Sequence, residues 1–421
     1  MKVFQPKLIE SLKGYNSKQF FSDLIAGIIV AIIALPLSIA LAIASGVEPV
    51  MGLYTAIVAG FVIALIGGSR VNISGPTAAF AVIVAGIVND NGIDGLIIST
   101  ILAGIILIIM GVCRLGSLIR FIPNTITTGF TSGIAVTIAI GQLKDFFELT
   151  YPSGTHNIET VDKAVNVINN ISSINFLSVA VGFLALVILV FWPKISKKIP
   201  GSLIAVFVGV IVVKVLSLNV NTIGDLYPDI TNAPPAFNIP DFSPDKIIEL
   251  LPGAFTIAIL AAIESLLSCV VSDGMINDKH NSNTELIAQG AGNICSGLFG
   301  GIPATGAIAR TAANVKNGGR SPVSGMVHSA VLLLVLVLFM PYAKWIPMPV
   351  ISAILFIVAY NMSEWRHFVK TCKTSPLTDV IVLVSTFVLT VVFDLVVAIA
   401  IGMAVHICFL FIRKLFMKSV N

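Results

Sequence analysis

VNISGPTAAFAVIVAGIV, residues 71–88, breaks the pattern of the chain around it. Its neighbours are long apolar runs, yet only about a dozen residues separate Pro76 from the polar Asn89-Asp90-Asn91. A helix over 77–88, at ~1.5 Å rise per residue, is roughly 18 Å long, too short for a hydrocarbon layer of about 30 Å. Its start carries initiation signals: Ser74 and Gly75 as caps, and Pro76 in the first turn, where no amide hydrogen is required. The theme returns in GIPATGAIAR, residues 301–310, which opens a second short segment at 305–315. Both segments begin after a Gly/Pro break and are rich in small residues. Interrupted segments at corresponding positions of two halves point to a binding site near the membrane midplane. Each helix start presents unpaired amides and a partial positive charge, which suit a small anion.

Composition sets the class. Hydrophobic residues make up 56% of the 421 and charged residues 11%, against about 25% charged in soluble domains. Polar groups this sparse cannot cover a water-facing surface, so the chain reads as a polytopic membrane protein with the lipid bilayer as a partner and no nucleic acid. Cys113, Cys269, Cys295, Cys372 and Cys408 are scattered and read as small buried hydrophobes, without metal or disulfide spacing. Lys2, Lys7, Lys13 and Lys18 precede the apolar run 24–44, which is too long for a signal-peptide core and reads as the first transmembrane helix.

The expected architecture is all-α with fourteen membrane segments. They fall at 24–44, 50–66, 77–88, 97–112, 125–141, 176–192 and 199–216, then at 252–271, 286–299, 305–315, 323–340, 346–360, 380–392 and 395–412. With the N-terminus in the cytoplasm, strict alternation puts 20 of the 25 lysines and arginines on the cytoplasmic side, Arg310 included. That bias is the positive-inside rule, and it favours an even count with both termini cytoplasmic. The loops 142–175 and 217–251 then lie outside. The domains read as a cytoplasmic segment 1–23, a first repeat 24–216, a linker 217–251, a second repeat 252–412 and a tail 413–421. The third segment of each half is the short one, which is the pattern of a seven-plus-seven inverted repeat with two half-helices meeting at the midplane.

Glu264, in AAIESLLS, is the sharpest single residue. A carboxylate at the centre of a span costs about 2.5–3.5 kcal/mol on lenient scales. It reads as an H+ or Na+ coupling site, against a structural hydrogen-bond acceptor between helices. Ser268 lies one turn on, on the same face. Arg310 either supplies positive charge to an anion or snorkels to the interface. Thr77, Thr305 and the amides of Thr77, Ala78, Ala307 and Ile308 are candidate anion contacts. The polar run 272–285 reads as a locked loop, with Asn283 or Thr284 capping the next helix. The remaining histidines, including His328, are assigned no role. A His-Glu-x-x-His motif, a serine elbow and a P-loop are missing from the sequence, which argues against an enzyme or an ATP-driven pump; a channel stays open as a reading.

In order along the chain, ALPLSIA (34–40), Gly52-Leu53-Tyr54, Gly68-Ser69-Arg70, SGPT (74–77), ESLLS (264–268), HNSN (280–283), Glu285-Leu286, GGIPATGAIART (300–311) and GGRSP (318–322) resemble the SulP family of anion transporters. The resemblance implies a uracil-permease-like fold with core and gate domains, elevator-type movement, and a homodimer. It implies an anion site between the third and tenth helices: Ser38, Thr77, Ala78, Ala307, Ile308, Ala309 and Arg310, with Leu37 and Leu41 as cavity wall. By the same resemblance Glu264 and Ser268 hold the coupling ion. Many relatives carry glutamine or an aromatic residue where Leu37 and Leu41 stand, so the half-helix amides become the main anion ligands here. Family members usually end in a STAS domain, which this chain, stopping at Asn421, is not expected to hold.

The resulting expectation is a secondary carrier in a bacterial inner membrane for sulfate or bicarbonate, then dicarboxylate, with no cofactor beyond Na+ as a coupling ion. Moving one charge through 100 mV costs about 2.3 kcal/mol, so an inward-moving anion needs a cation or an exchanged anion. The alternative is an uncoupled exchanger or chloride-type channel in which Glu264 is structural.

Overall fold

The computed structural model describes residues 4–117, 123–152, 155, 159–196, 199–240, 242–392, 401, 402 and 404. In chain order the helices are α1 (Lys7–Ser11), α2 (Ser17–Ala44), α3 (Pro49–Ile66), α4 (Ala81–Val112), α5 (Asn124–Phe147), α6 (Thr160–Asn169), α7 (Phe176–Ile195) and α8 (Gly201–Val215). They continue with α9 (Ile223–Leu226), α10 (Pro244–Ile276), α11 (Ser282–Leu298), α12 (Ile308–Lys316), α13 (Val323–Ala343), α14 (Met348–Ser363), α15 (Trp365–Thr374) and α16 (Leu377–Val392). Two strands, β1 (Ser74–Gly75) and β2 (Thr305–Gly306), interrupt them, and a 3-10 turn, Ala78–Phe80, leads into α4. Among the described residues, 8 helical stretches are long and apolar enough to cross a membrane, and Gly201–Val215 and Leu377–Val392 are shorter apolar helices.

The chain divides into two compact units. The first comprises Met1–Ile119, Asp145–Glu148 and Asn175–Ile354. In it α2 packs on α3 and α13, α3 on α11 and α13, and α4 on α10 and α11. Small residues set these approaches. Gly104 of α4 and Gly290 of α11 face one another: a methyl on either would lie 2.6 or 2.5 Å from the other's carbonyl oxygen. In lipid, where apolar side chains gain little by leaving their surroundings, such close backbone contact is what drives helix pairing. The second unit comprises Arg120–Lys144, Leu149–Ile174 and Leu355–Asn421. Here Gly129 and Gly133, four apart on α5, admit α16; a methyl at Gly129 would lie 2.5 Å from the Leu383 carbonyl and one at Gly133 2.6 Å from Thr390 Cβ.

Several expected boundaries move for local reasons. Ser74 and Gly75 do not cap a helix; they pair as β1, and Thr77, extended at φ −129° and ψ 157°, precedes the 3-10 turn. The segments expected at 77–88 and 97–112 are two arms of α4, joined at Gly92 with φ 68° and ψ −172°, a conformation that suits glycine. The second short helix starts at Ile308 rather than 305. α10 begins at Pro244 because Ser243 accepts from the Lys246 amide, and Pro252 lies inside it. The cap of α11 is Asn281, whose side chain accepts from the Thr284 amide; Asn283 Oδ1 instead accepts from the Gly116 amide at 3.1 Å. The loop before it is locked as expected, with His280 Nδ1 2.7 Å from Asp273 Oδ2. α2 starts at Ser17, inside the interval expected to be a cytoplasmic segment, and α6 and α15 are extra helices between spans. The segment expected at 395–412 lies outside the described residues apart from 401, 402 and 404.

Candidate functional site

β1 and β2 run antiparallel, with Ser74 opposite Gly306 and Gly75 opposite Thr305. This pairing brings the starts of both broken helices side by side. On one side the chain turns at Thr77 into the 3-10 turn, and on the other at Ala307 into α12. Neither start has a side-chain cap. The first intrahelical bonds are Phe80 N–H to the Thr77 carbonyl and Thr311 N–H to the Ala307 carbonyl, so the amides of Ala78, Ala79, Ile308, Ala309 and Arg310 precede them and are the orphan donors of their helices. Ile308 is 44% exposed and Ala309 is exposed, so the start of α12 is open.

Two charged side chains flank this junction. Arg310, on the first turn of α12, is buried. Its Nη2 donates to the Pro76 carbonyl at 2.5 Å, and its Nη1 has no hydrogen-bond partner among the described residues. Gly75 makes room for it: a methyl there would stand 2.6 Å from Nη1. Glu264, on α10, is half-buried, and its Oε2 accepts from the Thr77 hydroxyl at 2.9 Å. The two charges are near enough to act on one another. A fixed guanidinium, a carboxylate and two sets of free amides thus meet where the two chain breaks are tied together.

Behind the junction lies a fully buried polar network. Glu285 is 0% exposed and accepts from the Gly68 amide at 2.9 Å, Asn72 Nδ2 at 2.8 Å and Gln289 Nε2 at 3.0 Å. Gln289 also donates to Ser74 Oγ at 3.0 Å. Asn72 Oδ1 accepts from Ser268 Oγ at 2.7 Å and Thr311 Oγ1 at 3.0 Å. Ser265 Oγ accepts from the Gly306 amide at 3.0 Å and lies 2.7 Å from Thr305 Oγ1. Among the described residues this buried carboxyl group, one turn into α11, is met by three donors and by the helix dipole, and no ion pair to it is formed.

The structure brings together Thr77, Ala78, Glu264, Ile308, Ala309 and Arg310. Three other expected residues differ. The Ala307 amide donates to the Ile73 carbonyl at 2.9 Å, so it belongs to the chain tie and is not free for an anion. Ser268 turns to Asn72 and Thr311 and is buried, away from the Glu264 carboxylate. The Thr305 hydroxyl is likewise turned to α10, bonding the Ala261 carbonyl at 3.1 Å. On α2, Ser38 is fully buried with an unpartnered hydroxyl among the described residues, Leu41 is buried and Leu37 half-buried. A methyl on Gly52 of α3 would overlap the Ser38 carbonyl oxygen, so this stretch of α2 is held against α3.

The profile of the sulfate permease family matches residues 20–386. The chain belongs to the sulfate permease family. Among sulfate permease relatives, YvdB of Bacillus subtilis (strain 168) is 42% identical over 96% of this chain and 76% of its own length. The bicarbonate transporter BicA of Synechocystis is 33% identical over 90% of this chain and 68% of its own. The solved transmembrane domain of a cyanobacterial bicarbonate transporter BicA superposes with a TM-score of 0.81 at 31% identity, covering 91% of this chain and 98% of that one. Sulfate permease relatives are transporters rather than enzymes, and this chain is an integral, multi-pass anion transporter.

Ser265 and Glu285 stand in the family-like stretches but were given no role from the sequence, and Asn72 and Gln289 were not singled out. The signal that would have found part of this set is the hydroxyl stripe Ser265, Ser268, Ser272 on α10, at helical spacing and buried throughout. Asn72 and Glu285 offer no comparable pattern, because they meet across some two hundred residues of chain.

Proposed function

We propose that this chain is a secondary carrier of a small inorganic oxyanion, sulfate or bicarbonate and by extension a dicarboxylate, held at the paired helix starts and coupled to H+ or Na+ through Glu264. The observation that carries the reading is Arg310: a buried guanidinium whose Nη1 has no hydrogen-bond partner among the described residues, beside Gly75, at the junction of the two uncapped helix starts. Positive charge and two helix dipoles converge there, which favours a negative ligand. Ser38, Thr77, Ala78, Ile308 and Ala309 complete the anion's surroundings, with Leu37 and Leu41 as apolar wall. The bicarbonate transporter BicA, at 33% identity, supports bicarbonate within this substrate class.

The finer architecture belongs to the same reading: fourteen segments as seven plus seven inverted, moving as an elevator, in a homodimer of a bacterial inner membrane with both termini cytoplasmic. The contacts support the repeat. α2 with α3 mirrors α10 with α11, α3 with α13 mirrors α11 with α4, and α2 with α13 mirrors α10 with α4. A second reading, an uncoupled exchanger or chloride-type channel, draws on the Thr77–Glu264 hydrogen bond, which gives Glu264 a structural use.

Uptake of labelled sulfate and bicarbonate into proteoliposomes tests both, each with and without an inward Na+ or H+ gradient. A coupled carrier follows one gradient and loses that dependence in Glu264→Gln. An exchanger ignores both gradients and accelerates when anion is loaded inside, and that result would overturn the coupling role of Glu264.

A further inference from the structure

In the second unit, one helix has a surface that the anion site does not use. α14 ends at Ser363, and the next residue, Glu364, is left-handed at φ 43°, so α15 (Trp365–Thr374) starts on a new axis. At ~1.5 Å per residue its ten residues run roughly 15 Å, far short of a span. One side is held: Thr371 is 9% exposed, and the Phe368 ring packs edge-on against Phe387 of α16 at 5.3 Å between centroids. Next to that side Trp365 is 48% and Val369 37% exposed, and Leu377, at the start of α16, is 75% exposed. Beside this apolar strip, at the next positions round the helix, stand Arg366, Lys370 and Lys373, all exposed. Among the described residues none of the three forms an ion pair, and α15 holds no acidic residue; Glu364 and Asp379 flank it.

An apolar strip next to three unpaired cations is ill suited to bulk water and ill suited to the hydrocarbon layer. It suits the boundary between them, where aromatic and aliphatic side chains enter the acyl edge and cations meet phosphate. Three like charges within two turns favour acidic headgroups over zwitterionic ones. We propose that α15 is a binding surface for anionic glycerophospholipids. Trp365, Val369 and Leu377 lie at the acyl edge, and Arg366, Lys370 and Lys373 contact headgroup phosphates.

The full chain carries three tryptophans, so Trp192→Phe with Trp345→Phe leaves Trp365 as the sole tryptophan, excited selectively over the tyrosines. Reconstituted in nanodiscs of mixed phosphatidylglycerol and phosphatidylcholine, Trp365 is measured with bromine on the acyl chains of one lipid at a time, at equal mole fraction. Brominated phosphatidylglycerol is expected to quench about two-fold more than brominated phosphatidylcholine, with the preference shrinking at high KCl. Replacing Arg366, Lys370 and Lys373 by glutamine is expected to bring the ratio to about one. Single replacements, each lowering it in part, keep the test valid if the triple variant folds poorly. Equal quenching by both lipids would overturn the proposal, as bilayer contact without headgroup recognition. Absence of quenching would overturn it too, placing a second copy or another protein segment over the helix. Loss of the preference in millimolar inorganic phosphate at constant ionic strength would assign the cations to a free anion and would also overturn it.

Discussion

Among the described residues Glu264 receives one hydrogen bond, from Thr77, and this allows the carboxylate's two roles to be separated by substitution. Thr77→Val keeps the shape and removes the donor. Hydrogen bonds to charged groups contribute about 1.5–3 kcal/mol, so the coupling-ion concentration for half-maximal uptake should move roughly 10- to 100-fold, while Thr77→Ser should stay near the parent. An unchanged concentration dependence in Thr77→Val would detach this bond from coupling. Glu285 has a different task. Its removal in Glu285→Ala leaves the Gly68 amide and Asn72 Nδ2 without their acceptor and Gln289 with Ser74 alone, at about 1–3 kcal/mol for each orphaned buried group. A marked fall in the unfolding midpoint in detergent is expected, larger than for any substitution of exposed Ile308. Of these residues Glu264 and Arg310 were legible in the sequence, because a charge within an apolar run stands out. Glu285 was not, since it sits in a polar stretch whose burial comes only from packing.

At the scale of elements, the start of α12 offers a backbone test. Ile308 is its first residue, and Ala307 before it is extended at φ −103° and ψ 111°, a conformation that a following proline accepts. Proline at the first helical position is tolerated and has no N–H. Ile308→Pro should therefore fold with little loss and bind the anion about ten-fold more weakly, the equivalent of ~1.4 kcal/mol for one lost donor. Ile308→Ala should bind as the parent does, and equal affinities in the two variants, measured by substrate competition, would remove this amide from the site. The existence of two broken helices was readable from segment length alone. Their tie was not: strands of two residues have no periodicity to detect, and Ser-Gly-Pro reads equally well as a cap. The Gly92 junction was hidden for a similar reason, because polar residues from Asn89 to Asp94 read as a loop while the backbone stays helical around one glycine.

At the scale of the molecule, the N-terminal helix α1 is held to the first unit by a ring of four charges. Lys7 pairs with Glu10 at 2.9 Å and Asp278 at 3.5 Å, and Arg70 pairs with Glu10 at 2.8 Å and Asp278 at 2.9 Å. The hydrogen bond from Lys7 holds Glu10 below its ordinary 4.5, aided by the charges of Lys7 and Arg70 and opposed by partial burial. A carboxylate lowered in the folded state stabilises above its unfolded value and loses that contribution as pH falls through the folded one. A spin label at Leu12 should thus keep its mobility from neutral pH down to about 4.5 and loosen only below that, and should loosen at neutral pH in molar salt because Glu10, which bridges Lys7 and Arg70, is exposed and screened. Release between pH 5 and 7 would mean that another group governs the docking. The membrane class was readable at this scale from composition, and the family resemblance from the ordered motifs; the mutual seating of glycines such as Gly104 and Gly290 needed coordinates. The ladder of Ser74-Gly75 with Thr305-Gly306 also has a mechanical meaning. In a layer without water to replace lost partners, prising two such edges apart strands peptide groups at several kcal/mol each. The ladder is a rivet: under the proposed function, the two helix starts that seat the anion cannot part, and any movement of that seat takes both together.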